Sequence, residues 1–597
     1  MVILIGLVAL AAVLLIVAQV FDPRSTSSLS PRPWPTRLRA EAGSHGEFAP
    51  GQAAPDRPWL AGWFVACSML YLGVGAYLVL HRGSILGDAE SRVAQAWYVV
   101  ASRDPHLAAI GFVWNPLPSV AAIPLVLARG LWPALTQRAF AGSIVSSLCM
   151  AGAVVQFRSA LREMKTARAM AVCLTVLFAL NPMTIYYGAN GMSEAMYLLF
   201  LVGATRYLLS WTVGGGSRDL VLASINLALG YLTRYETLAA AVAAMAVVLI
   251  VGTTARSHER PRSERRSAAG GDLVVIGFPT AVVFAGWALT SWLITGQPFQ
   301  QFTSQYGNSS QVAAAVSLGS ANGTGWPRIV LALVQMWSYA PLLPVAVVVA
   351  VVVAVRRRDR RFLALGVLIA PLLFSVTAYT GGFLFGWLRF YIPVLPCFLL
   401  AVALVLSPLP GMRPASPTWM IRSSAAGLAV ALVAGAPGLA GSAYAMGNTH
   451  LGPLESASLA WVFRPARSQA EIQEETFLSS AVSISRQIDR LGLPDGSIAV
   501  DTVGCGSLVV MNSTRPRQFI VTSDRDFEEV VADPVAFGVP YLLVPLGNSQ
   551  GVSAINAAHP GIFAGGQVGD LLTSVAGQFE TPGCGTFRLI QVLGDES

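Results

Sequence analysis

Long apolar runs separated by short polar stretches dominate the first three quarters of the chain. A helix needs about 20 mainly apolar residues to cross a bilayer. On that measure the pattern predicts spans at 2–20, 60–80, 138–157, 169–187, 195–211, 219–234, 236–251, 273–294, 328–355, 362–379, 390–407 and 423–445. The run at 2–20 has no basic residue before it and a long apolar stretch. It reads as a span and not as a cleaved leader. Residues 113–130 are apolar too, but Pro116, Pro118 and Pro124 interrupt them. They predict an interfacial or re-entrant helix inside a long loop at 81–137, since irregular backbone at membrane depth needs cover from protein or a cavity.

After residue 445 the pattern changes. Residues 456–490 read as a polar helix, and Arg525–Ala532 as a shorter one. Short β-like runs occur at Ser497–Val500, Ser507–Val510, Gln518–Val521, Tyr541–Val544 and Phe587–Val592, with Gly, Pro and Asn between them. That alternation predicts a small α/β domain. The expected fold is an all-α polytopic bundle of about twelve transmembrane helices with a C-terminal α/β domain. Its divisions are an extra N-terminal helix and loop at 1–59, a membrane core at 60–445, and the α/β domain at 446–597.

Charge fixes the orientation. The 597 residues are 54% hydrophobic and 12% charged, and the formal net charge is +8. The basic residues do not form a nucleic-acid surface; they cluster in the loops at 21–59, 158–168, 212–218, 252–271, 356–361 and 409–422. Basic loops stay on the cytoplasmic side. The six loops share one side if each predicted span crosses once, which places both termini, the 81–137 loop and the C-terminal domain outside. Counting 113–130 as a span would break this agreement. Lys165 is the one lysine in the chain, every other basic residue being arginine, which reflects composition bias and not mechanism.

Cysteine use adds one expectation. Cys67, Cys149, Cys173 and Cys397 lie in apolar runs, where cysteine packs as a small hydrophobe. Cys505 and Cys584 lie in the outer domain, each flanked by glycines suited to tight turns. An oxidising compartment allows a disulfide between them; two free thiols is the other reading. No zinc-type ligand spacing occurs.

Charges in or beside spans are costly and mark candidate sites. Asp88, Glu90, Arg92, Glu194, Arg234, Glu236 and Arg389 all fall at the outer ends of helices. For Asp88 and Glu90 one reading is a general base, with a divalent cation such as magnesium or manganese shared between the carboxylates. The other is Asp88 as a helix cap. Glu194 follows Ser193, a natural cap, and an acid at a helix start is favourable without any function. Arg234 and Glu236 form a local pair at the apex of a short hairpin on one reading, and a phosphate contact plus a secondary acid on the other. Arg389 is either snorkelling or a phosphate ligand, because its fork of donors matches phosphate oxygens. The aromatic residues nearby, Trp97, Tyr98, Trp114, Tyr186, Tyr187, Tyr235, Trp387, Phe390 and Tyr391, are half explained as an interfacial belt.

The order of these motifs resembles the GT-C membrane glycosyltransferases, in the branch of protein O-mannosyltransferases and lipid A aminoarabinose transferases. Gly87-Asp88-Ala89-Glu90 matches the acidic opening of the long first loop, and Asn115-Pro116-Leu117-Pro118 the segment after it. Asn181-Pro182 through Ser193-Glu194, Thr233-Arg234-Tyr235 and Arg389-Phe390-Tyr391-Ile392-Pro393 match the later motifs. The likeness covers roughly residues 60–410. It departs from the family at Ala89, which separates residues that are adjacent acids in many relatives, and in the extra N-terminal span. The resemblance implies Asp88 as catalytic carboxylate, Glu194 as a second acid, and Arg234 and Arg389 as lipid-phosphate ligands. It implies a polyprenyl-phosphate-linked sugar, mannose- or arabinose-like, as donor and a hydroxyl of an envelope glycan, lipid or protein as acceptor. The implied site faces outward from the plasma membrane. A lipid-linked-glycan transporter or flippase, or an envelope scaffold, is the alternative; a transporter fits less well, because no internal repeat is visible and the charges sit at helix ends.

Overall fold

The computed structural model describes residues 57–254, 262–304, 306–307, 310–313, 326–408, 417–460, 469–547 and 553–593. The expected span at 2–20 and nearly all of the loop after it lie outside the described residues. Among the described residues, eight helices are long and apolar enough to cross a membrane, or ten if each of two bent pairs counts as one span. The chain is an integral membrane protein.

The bundle opens with α1 (Arg57–Gly75), which continues as helix to His81. The loop after it carries α2 (Gly87–Ala101) and α3 (Leu117–Val126). Then come α4 (Phe140–Glu163), the bent pair α5 (Arg168–Ala179) and α6 (Pro182–Ala189), and α7 (Glu194–Gly214). The α5–α6 bend of 57° falls at Asn181-Pro182. There the Asn181 side chain accepts from the Met183 N–H at 3.0 Å and restarts the helix, with proline at a position that needs no donor. Next are α8 (Ser217–Tyr231), α9 (Thr237–Thr254) and α10 (Arg262–Thr295). The pair α11 (Trp326–Tyr339) and α12 (Leu343–Arg357) bends by 79° around Pro341. The spans end with α13 (Gly366–Thr380), α14 (Val394–Leu406) and α15 (Pro417–Gly447).

One expectation needs adjusting. The predicted span at 219–234 is α8, whose 15 residues reach about 22 Å at 1.5 Å per residue, short of the roughly 30 Å hydrocarbon core. The hairpin apex at Arg234 therefore sits recessed. Residues 113–130, expected as a short helix within the loop and not as a span, form the 10-residue α3 followed by one tight turn. Its start is tied to the hairpin, because Asn115 Nδ2 donates to Tyr231 O and the Leu117 N–H donates to Leu232 O at 2.9 Å.

Beyond the bundle, α16 (Pro453–Ser458) and α17 (Gln469–Asp489) lead into a six-stranded mixed sheet. Its strands are β1 (Ile498–Val500), β2 (Phe519–Val521), β3 (Tyr541–Pro545), β4 (Gly566–Val568), β5 (Leu571–Thr581) and β6 (Gly585–Leu593), in the order β2-β1-β3-β6-β5-β4. The first three are mutually parallel and the rest antiparallel. Helices α18 (Cys505–Asn512), α19 (Phe527–Ala532) and α20 (Ala554–Ala558) accompany it. The strand expected at Ser507–Val510 is the middle of α18: a short apolar run has no period long enough to separate strand from buried helix.

Successive strand residues face opposite sides. Ala499, Ile520, Leu542 and Ile590 pack with α19 and α20. Ile498, Val500, Phe519 and Leu543 pack with α17 and α18, and the same core takes in Val93, Ala94, Tyr98 and Val99 of α2. The C-terminal domain and the long first loop thus share one hydrophobic core. Cys505 and Cys584 are disulfide-bonded with Cα atoms 5.7 Å apart, joining the start of α18 to the β5–β6 turn.

Candidate active site

The first turn of α2 sets the geometry. Helical residues two apart point about 200° from each other, and residues four apart share a face. Asp88 and Arg92 accordingly face the bundle, while Glu90 faces the C-terminal domain. Ala89, between them, packs on Gly191, which has φ +81° and also abuts Gly142. A Cβ at Gly191 would lie 3.2 Å from that of Ala89 and 3.1 Å from Gly142 backbone. A carboxylate at position 89 would have to enter this contact, which gives a steric reason for the small residue there.

Asp88 Oδ2 accepts from Arg389 Nη2 at 2.7 Å. Arg389 lies just before α14, stacked on Trp387 at 4.3 Å and Phe390 at 5.3 Å. Its Nη1 is 3.5 Å from Glu194 Oε1. Glu194 opens α7; its Oε1 also accepts from Arg234 Nη1 at 2.7 Å, and Arg234 Nη2 donates to Glu236 Oε1 at 2.7 Å. One continuous chain results: Asp88, Arg389, Glu194, Arg234, Glu236. Arg92 flanks it, donating to the Asp88 carbonyl at 2.7 Å and resting over Trp114 at 4.9 Å.

Asp88 does not cap α2, because Leu86 holds that position. Ser193 makes no capping bond from its side chain; its Oγ accepts from Arg234 Nη1 at 3.4 Å. The Arg234–Glu236 pair does form, but as one link of the longer chain. Several of the aromatic residues assigned in part to an interfacial belt are the floors on which the arginines rest.

Burial is nearly complete except at one point. The side chains of Arg389 and Glu194 are 4% and 3% exposed, against 21% for Asp88. Burial pushes the Asp88 carboxyl upward, but Arg389 and Arg92 outweigh it and hold the group below its ordinary value. Arg389 Nε, Arg92 Nε and Glu194 Oε2 are buried with no hydrogen-bond partner. Such groups are costly unless something completes them. An apolar cavity of about 500 Å³ is lined by Phe302, Phe374, Thr377, Ala378, Phe383, Leu384 and Tyr235, the residue that follows Arg234 in the hairpin apex.

Glu90 has a different role from Asp88. It is 1% exposed and lies on the side of α2 that packs on α18, where Ser507 influences it. Burial pushes its carboxyl up to about 8, against the opposing pull of Ser507. Since the two carboxylates turn to different partners, they do not fit a shared divalent cation. Among the described residues, no three His, Cys, Asp or Glu side chains group closely enough to hold a metal ion.

Glu455 of α16 is part of the surroundings that the sequence did not single out. It is fully buried, accepts from Tyr187 Oη at 2.6 Å, and acts electrostatically on Tyr187 beside Arg389 and Glu194. It stands in a polar tail with no apolar run around it, so nothing in the local sequence set it apart.

No family model matches the chain, and no curated protein sequence matches it. Among solved structures it is similar to ArnT from Cupriavidus metallidurans bound to undecaprenyl phosphate. That match has 14% identity and a TM-score of 0.46, and covers 90% of this chain and 98% of that one. It is also similar to the archaeal oligosaccharyltransferase AglB from Archaeoglobus fulgidus in complex with an inhibitory peptide and a dolichol-phosphate. Here the identity is 11%, the TM-score 0.40, and the coverage 81% of this chain and 70% of that one. Scores this low do not by themselves establish a shared activity.

Proposed function

We propose that the chain is a GT-C-type glycosyltransferase that moves a mannose- or arabinose-like sugar from a polyprenyl-phosphate carrier to an acceptor hydroxyl on the outer face of the membrane. The observation that carries this reading is the Asp88–Arg389–Glu194–Arg234 chain beside an aromatic-lined cavity. A lipid phosphate needs cationic donors next to an apolar groove, and both are here. Asp88, the most exposed member, takes the proton from the acceptor hydroxyl. Arg389 and Arg234 stabilise the charge that grows on the carrier phosphate as the anomeric bond breaks. Glu194 lies between the two arginines and fixes their spacing. The acceptor is a glycan, lipid or protein hydroxyl of the cell envelope.

The test gives purified protein either a polyprenyl-phosphate sugar or a nucleotide sugar, with an envelope extract as acceptor. Transfer from the lipid-linked donor is expected. Transfer from the nucleotide sugar alone, with no lipid carrier present, refutes the reading.

A further inference from the structure

Every link around Arg389 is an ion pair that the proposed donor has to share or break. The six charged side chains Asp88, Glu194, Glu236, Arg92, Arg234 and Arg389 comprise three acids and three arginines, so the site has no surplus positive charge waiting for a phosphate. Arg389 is the fixed partner: it is 4% exposed, stacked on two aromatic rings, and within 3.5 Å of Glu194. Asp88 is the one that can leave. Its side chain is 21% exposed. Its own backbone carbonyl is held by Arg92 at 2.7 Å, so the carboxylate can turn without unwinding the helix.

From this we infer that Asp88 and the donor phosphate compete for Arg389, so that the base is released only when a donor is seated. The inference rests on the glycosyl-transfer reading above. In the resting state the carboxylate is held in an ion pair and is a poor base. An arriving phosphodiester takes over the Arg389 Nη2 donor, and the unpartnered Nε adds a second contact. Arg389 keeps its place through Glu194 and the rings, while Asp88 turns toward the acceptor.

The step balances. The acceptor O–H gives its proton to Asp88, its oxygen bonds to the anomeric carbon, and the sugar–phosphate C–O bond breaks. The electron pair leaves on the carrier phosphate at Arg389. When polyprenyl phosphate departs, Asp88 gives its proton to water and returns to Arg389. Coupling the base to the carrier phosphate in this way disfavours proton removal from an acceptor when no carrier is seated.

The experiment uses the full chain in lipid nanodiscs titrated with undecaprenyl phosphate, with binding read by tryptophan fluorescence. Asp88→Asn should lose turnover and yet bind undecaprenyl phosphate about tenfold more tightly than wild type. Asp88→Ala should do the same, which guards against a folding defect peculiar to one variant. In unaltered protein, carbodiimide labelling of Asp88 should rise when undecaprenyl phosphate is added. Normal wild-type binding that is unchanged or weaker in both variants overturns the competition and leaves the glycosyl-transfer reading standing. Labelling that does not rise overturns it as well. Absence of binding to any of the three proteins defeats the glycosyl-transfer reading, and the inference with it.

Discussion

Glu90→Gln offers a quantitative test of how the C-terminal domain sits on α2. The Glu90 carboxyl, 1% exposed, is pushed up to about 8 by burial. On the domain side Ser507 opposes the effect of burial, and the charge of Asp88, on the other face of the helix, adds to it; Tyr98 feels both Glu90 and Asp524. An acid whose value is raised in the folded state contributes stability that is complete below its unfolded value and is lost as pH rises through the folded value. With an unfolded value near 4.3–4.5 the linkage costs about 1 kcal/mol at pH 5, about 3 kcal/mol at pH 7, and approaches 5 kcal/mol above pH 9. Gln carries no such term and keeps the size and a donor for Ser507. The assay is thermal unfolding followed by tryptophan fluorescence between pH 5 and 9. The wild-type melting temperature should fall across this range. The variant should be more stable from pH 7 upward, by an amount that grows to pH 9. Asp524, pushed up to about 7 by burial, leaves both proteins with a shared slope below pH 7. A variant whose curve runs parallel to and below the wild type across the whole range would refute the assignment of Glu90 as a buried, protonated contact.

Four further outcomes are expected. Asp88→Asn should lower turnover by about 10²–10⁴-fold, the usual cost of a lost general base, while the protein still inserts and folds; activity within a few-fold of wild type would remove Asp88 from catalysis. Arg389→Ala should weaken donor binding by about 1.5–3 kcal/mol, roughly ten- to a hundredfold, measured as donor Kd. Cys584→Ser opens a loop of 79 residues, and the chain-entropy relation puts the loss near 4.5 kcal/mol; a melting temperature unmoved by the substitution or by reductant would contradict it. Reporters fused after residues 262 and 358 should be cytoplasmic and one after 450 external, as the basic loops require.

Much of the bundle was legible because membrane spans leave a strong signal: ten described segments of the expected list appear as long helices or bent pairs. The short α8 and the short α3 were visible as weak runs, one of them broken by prolines. The domain was harder to read. Strands β1, β2, β3 and β6 fell where the β-like runs lay, but β4 and β5 were missed. β5, between β6 and the three-residue edge strand β4, is half-exposed, and its apolar residues are interrupted by Thr573, Ser574 and Gly577. Ser507–Val510 became helix because α18 is buried between the sheet and α2, where a helix satisfies its own backbone bonds. Of the candidate site, the residue types and their placement at helix ends could be read from the sequence. The pairing could not: it brings together residues 301 apart, Asp88 and Arg389, and only tertiary packing decides that. Glu90 illustrates the limit most clearly. It shares a motif with Asp88, but a helix sends neighbours two apart to opposite sides.

That division of α2 explains why a membrane bundle with its own charged site also carries a large domain. One face of α2 presents Asp88 and Arg92 to the arginine–carboxylate chain; the other is buried against α17, α18 and the sheet. α2 is not one of the apolar spans, and its packing is against the bundle on one face and the domain on the other, so its position depends on these contacts. Arg103 pairs with Asp526, Arg129 Nη2 donates to Ser513 O at 3.0 Å, and Asn512 Nδ2 donates to Gln137 O at 3.1 Å, fastening the loop to the domain along its length. The disulfide fixes the start of α18, next to Ser507, which influences Glu90. A shift of α2 by about 1 Å would misplace Asp88 relative to the acceptor hydroxyl it has to reach, and misplacements of that size cost about 10²-fold in rate. Loosening the domain should therefore lower turnover before it unfolds the bundle. In Cys584→Ser the activity should decline at a lower temperature than the helical circular-dichroism signal. Coincident loss of the two would show that the domain stabilises the protein as a whole and does not specifically position Asp88.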